Sequence, residues 1–100
     1  LIHNPAATIS VYCGGDSMLE AGISKNDLLI IDRSVTPVHR DIVMADLGSE
    51  YTIKRLCIKD GVVELHSENS NGDFPNFVFQ EGDQLSIVGV VMHIIKTPKR

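Results

Sequence analysis

The chain has 100 residues, 43% of them hydrophobic, and a formal net charge of −4 at neutral pH. That length supports one small core rather than two, no run reaches the eighteen or more apolar residues of a membrane span, and the acidic balance argues against strong direct binding to a nucleic-acid backbone. The two cysteines, Cys13 and Cys57, lack paired spacing and read as reduced core thiols of a cytoplasmic protein. The histidines His3, His39, His66 and His93 stand singly, without the companions a metal site needs, so neither metal nor cofactor is expected.

In chain order, residues 1–7 carry an Asn4-Pro5 turn signal and read as a lead-in, with no secretory leader pattern. Thr8 to Cys13 is β-branched and predicts a strand, and Gly14-Gly15 then permits a tight turn. Ser17 with Glu20 three residues later has the form of a capping box, predicting a short helix that ends near Gly22. Leu28 to Asp32 predicts a strand buried on both faces, and Ile42 to Leu47 a third strand before a Gly48-Ser49 turn. Tyr51 to Ile58 and Val62 to His66 flank Asp60-Gly61, the signature of a hairpin with a type I′ turn. Residues 67–75, rich in Ser, Asn, Gly and Asp, predict a mobile loop; Asn76 to Phe79 predicts a short strand and Gln84 to Ile95 the longest one. These elements define a mostly-β fold of about seven strands and one short helix in a single domain spanning residues 1–100.

Two residues carry candidate chemistry. Ser17, just past a glycine turn, has the placement of a nucleophile as well as that of a helix cap. A nucleophilic serine needs a base, and strand alternation puts Lys54 on the face of Thr52, Leu56 and Ile58, where burial would leave its amine neutral near pH 7. An exposed strand lysine fits the same periodicity. The remaining basic residues, Arg55 with Lys59 and residues 96–100, read as solvated edge and tail.

Gly15-Asp16-Ser17-Met18, Ala21-Gly22-Ile23, residues 27–32, Asp41-Ile42-Val43, residues 51–56 and Gly89-Val90-Val91 together resemble the self-cleaving peptidase domain shared by LexA and UmuD, the peptidase S24 family. Residues 1–8 and 91–96 are closer to the UmuD branch with its MucA and RumA relatives. The resemblance implies a LexA/signal-peptidase-like β domain with a Ser-Lys dyad, Ser17 as nucleophile and Lys54 as general base, and the backbone N–H groups of Asp16 and Ser17 as oxyanion donors. It further implies cleavage of a bond in the protein's own amino-terminal arm, stimulated by the RecA filament on single-stranded DNA. The processed form would then make a homodimer and join a UmuC-like Y-family polymerase in translesion synthesis during the SOS response. On this reading the chain is the processed form, lacking the arm with the cleavage site. Cys13-Gly14, the one Cys-Gly pair, sits too close to Ser17 to reach its own site, and both residues depart from the small or hydroxyl residues commoner there.

Three other readings stand beside this one: the carboxy-terminal domain of a LexA-like or phage repressor, a signal-peptidase relative, which needs a membrane anchor, and a dimerising β domain whose serine only caps a helix. The long apolar stretch from Gln84 to Ile95 is expected to form a sheet edge that must be paired or covered.

Overall fold

A computed structural model describes residues 5–98. Its seven strands, all antiparallel neighbours, form one sheet in the order β1-β2-β7-β3-β4-β5-β6. The strands are β1 (Thr8–Tyr12), β2 (Leu28–Asp32), β3 (Ile42–Asp46), β4 (Tyr51–Lys59), β5 (Val62–His66), β6 (Phe77–Phe79) and β7 (Ser86–Ile95). The sequence pattern places every one of them to within two residues. His3 lies outside the described residues, as do the tail residues Lys99 and Arg100.

β3 to β6 form a meander, because each of their connections folds straight back. The β4–β5 connection shows why: Asp60 and Gly61 both take positive φ, 52° and 77°, as a type I′ turn requires, and Lys59 pairs with Val62 across it. At the β3–β4 turn, Gly48 at φ 86° bends the chain while the Asp46 carboxylate accepts its N–H.

β7 is where expectation and structure part. It is not an edge: it lies between β2 and β3 and pairs with both, so its apolar length is covered by neighbouring strands of the same sheet. The edges are β1 and the three-residue β6. Insertion of β7 demands a close approach at Gly89, where a Cβ would stand 2.6 Å from the Asp32 carbonyl oxygen and 2.7 Å from Ile31 Cγ2. Register shifts in both of its pairings accompany that approach.

Apolar side chains pack in two clusters. One gathers Met18, Ile23, Leu29, Ile31 and Met44; the other gathers Val43, Ala45, Leu56, Leu65 and Val90. Adjacent residues of β3, Val43 and Met44, thus belong to different clusters, as strand alternation requires of a strand covered on both sides. β2 is less symmetric than expected: Leu29 and Ile31 are fully buried, while Leu28 and Ile30 are half-buried.

Candidate functional site

Ser17 lies in the turn between β1 and β2. The predicted capped helix shrinks to a single 3₁₀ turn, Leu19–Ala21, whose N-cap position is Met18 and which receives no side-chain cap. The capping box does not form, for two reasons. The Ser17 hydroxyl is engaged elsewhere, and the Glu20 carboxylate accepts from the backbone N–H and the hydroxyl of Ser70. What anchors this turn to the core is Met18, 1% exposed and packed in the first cluster directly beside the serine.

Lys54 reaches the same point from the middle of β4. It is only 5% exposed, and its cross-strand partner is Val43, itself opposite Val90. Its Nζ lies 2.9 Å from Ser17 Oγ, 2.7 Å from Thr52 Oγ1 and 3.3 Å from the Ile53 carbonyl oxygen. Burial pushes the Lys54 amine below the ordinary lysine range, and attraction to Glu50 and to the Cys13 sulfur only partly opposes it. The three partners suit both forms: the ammonium donates to Ser17 Oγ, Thr52 Oγ1 and the Ile53 carbonyl, and a neutral amine can keep the last two bonds while accepting from the Ser17 hydroxyl. The arrangement can therefore move a proton from a serine hydroxyl to an amine.

The hydroxyl opens onto a groove of about 480 Å³, walled by Tyr12 and Cys13 at the end of β1, by Tyr51 and Ile53 of β4, and by Phe74 from the loop after β5. Tyr12 and Tyr51 are largely exposed, 72% and 62%, so the groove has a wide aromatic rim. Asp16 and Ser17 both line it, and no acceptor among the described residues takes either backbone N–H. The Asp16 carboxylate is turned aside, accepting from the Lys25 N–H. Cys13 is buried and free, and it holds the turn from behind: its N–H donates to the Asp27 carbonyl and its carbonyl accepts from Asn26. Cys57 is free and half-buried.

Several contributors stand beside the Ser17 and Lys54 pair. Thr52 and the Ile53 carbonyl steady the amine, and Arg55, Glu68, Asn69 and Ser70 hold the serine turn from the side of the loop. Thr52 could have been found from its place two residues before Lys54 on the same strand face. The loop residues carry no periodic signal, and only folding brings them across from β5. His39, scattered in sequence, serves the fold through its Nδ1, which accepts the Ile58 N–H.

Fold and site together define a small antiparallel β domain in which a serine faces a buried lysine rather than a histidine. Residues 1–92 match the family model described as Peptidase S24-like, and the chain belongs to that family. It is 37% identical over 94 residues to Protein ImpA of Salmonella typhimurium, covering 94% of this chain and 62% of ImpA. Against Protein SamA of Salmonella typhimurium strain LT2 the identity is 38% over 94 residues, 94% of this chain and 63% of SamA. The LexA repressor of Cupriavidus taiwanensis is 37% identical over 83 residues, 83% of this chain and 37% of that repressor. The chain thus spans less than two thirds of each of these relatives.

Proposed function

We propose that the chain is the peptidase and dimerisation domain of a UmuD-like SOS mutagenesis protein, using Ser17 and Lys54 to cut one peptide bond of its own amino-terminal arm. The observation that carries this reading is the 2.9 Å contact between a buried amine of lowered basicity and a groove-facing serine hydroxyl, within a Peptidase S24-like domain.

In the proposed reaction Ser17 Oγ attacks the scissile carbonyl carbon as its proton passes to Lys54 Nζ. The tetrahedral oxyanion is met by the N–H groups of Asp16 and Ser17, and each such donor typically lowers the barrier by about 3 kcal/mol. Collapse breaks the C–N bond while Lys54 returns the proton to the leaving amine, and water then hydrolyses the acyl ester on Ser17 by the same proton route. Thr52 and the Ile53 carbonyl keep Nζ aimed at Oγ throughout. Because the substrate is the protein's own arm, each molecule turns over essentially once.

On this reading the RecA filament on single-stranded DNA stimulates cleavage. The processed cytoplasmic homodimer then serves a UmuC-like Y-family polymerase in translesion synthesis. A second reading, the self-cleavage domain of a LexA-like repressor, is favoured by the LexA similarity. The full reading frame separates the two, since a repressor carries a DNA-binding domain where a UmuD-like protein carries a short polar arm.

The test is cleavage in trans. This domain is mixed at mildly alkaline pH with a longer form of the same protein carrying Ser17→Ala, and Lys54→Ala in the domain is the control. A shortened product that requires both Ser17 and Lys54 of the domain is expected. No product at any pH from about 7 to about 10, with the fold intact, would overturn the reading.

A further inference from the structure

Beyond Met18, which packs into the core, the exposed side of the turn that carries Ser17 has little packing to hold it. A Cβ on Gly14 or Gly15 would meet nothing within 4 Å, and Asp16, Leu19 and Glu20 are exposed. On that side, hydrogen bonds from the segment following β5 hold it. The Glu68 N–H donates to the Ser17 carbonyl at 2.7 Å, and the Glu20 N–H donates to the Glu68 carbonyl at 2.8 Å. Asn69 Nδ2 donates to the Asp16 carbonyl at 2.7 Å, and Ser70 ties down the Glu20 carboxylate.

This segment lies beyond the last paired residue of β5, His66, so the sheet ladder does not place it. Its anchor is the Glu68 side chain, which accepts two bonds from Arg55, from Nε at 2.8 Å and Nη2 at 3.1 Å. Arg55 is itself oriented by its Nη1 bond to the Arg40 carbonyl at 2.8 Å. Such a two-pronged pair fixes direction as well as distance. Arg55 is also the residue next to Lys54, and strand alternation sends the two side chains to opposite faces of β4. One peptide unit of a paired strand therefore carries both the amine and the anchor of the turn that presents the hydroxyl.

We propose that the Arg55–Glu68 pair is a positioning element for Ser17, setting the hydroxyl's distance and angle to Lys54 by clamping residues 68–70 onto the serine turn. The inference rests on the Ser-Lys reading above and deepens it. The pair acts through the backbone of Glu68, and neither side chain lines the groove.

The probe is a fluorophosphonate, which phosphonylates an activated serine with loss of fluoride. Labelling of Ser17 is followed by intact mass against pH, well below the melting temperature. Glu68→Gln and Arg55→Met are expected to lower the limiting labelling rate roughly tenfold to a hundredfold, the cost of a small misplacement of a reacting group, while the pH inflection set by Lys54 stays in place. The exchanged pair Arg55→Glu with Glu68→Arg is expected to recover most of the rate. Asn69→Ala, which removes the surface bond to Asp16 together with the local one from the Asn71 N–H, gives a smaller loss of the same kind and keeps the inference testable if an ion-pair variant fails to fold. Wild-type rates in Glu68→Gln or, failing that variant, in Asn69→Ala would overturn the inference. A displaced inflection would overturn it too, since the pair would then act on the charge of Lys54. A wild-type chain labelled no faster than its Lys54→Met variant would refute the Ser-Lys reading itself.

Discussion

Replacing Lys54 by methionine keeps most of the side-chain volume, removes the amine, and has two consequences of opposite sign. The Nζ–Oγ separation of 2.9 Å lies inside the window for direct proton transfer. The full contribution of a general base is therefore at stake, about 10²- to 10⁴-fold in rate, or about 3 to 5 kcal/mol of barrier. Stability moves the other way. With the lysine pKa lowered in the folded state, the unfolded chain binds more protons between that lowered value and the ordinary 10.5. Wild-type stability accordingly rises with pH across that window, and below it the buried ammonium costs about 1.4 kcal/mol for each pKa unit of depression. Lys54→Met escapes this cost, so its stability relative to wild type is greatest below the lowered value and falls steadily as pH rises from there toward 10.5. The assay pairs fluorophosphonate labelling of Ser17 with urea unfolding at several pH values. Wild-type labelling is expected to climb about tenfold per pH unit and level off below pH 10.5, with Lys54→Met slow and flat. Equal labelling of the two proteins, or a stability difference independent of pH, would refute the argument that burial makes this amine a base.

Two further outcomes follow from the packing and the ion pair. Gly89→Ala forces a Cβ against the Asp32 carbonyl at 2.6 Å, in backbone that cannot swing aside, and is expected to cost about 1 to 3 kcal/mol in thermal unfolding; a loss below about 0.5 kcal/mol would show that β2 and β7 yield easily. Arg55 holds the Glu68 carboxyl below its ordinary range, so the pair adds stability that is complete above about pH 4.5 and lost as pH falls through the lowered value. With both side chains partly exposed that contribution is about 1 kcal/mol, and acid titration of Glu68→Gln is expected to converge with wild type at the acid end and diverge above it.

Much of this protein is local and therefore legible. The strand runs, the Asp60-Gly61 turn and the meander from β3 to β6 each depend on a few consecutive residues whose backbone preferences agree. The facing of Lys54 follows from alternation along β4, but its burial does not, because an exposed edge lysine has the same period. Burial depends on the folded sheet, which sets β3 with Val43 directly beside it and β7 beyond.

The serine shows the limit most clearly. Ser17 and Glu20 match a capping box residue by residue, yet the box is absent because two distant partners, Lys54 thirty-seven positions on and Ser70 fifty positions from Glu20, bind those side chains instead. A short-range pattern cannot register such competition. The place of β7 was equally out of reach, since an apolar strand of ten residues satisfies either an edge awaiting a partner or a centre that has two. Sequence alone determined the strands and most of the turns, encoded in local preference, and its motifs singled out the serine and the lysine that the fold brings together. Only the tertiary structure decided that β7 divides the sheet, that Lys54 is dry, and that Arg55 and Glu68 hold the serine turn, because each depends on contacts between segments far apart in the chain.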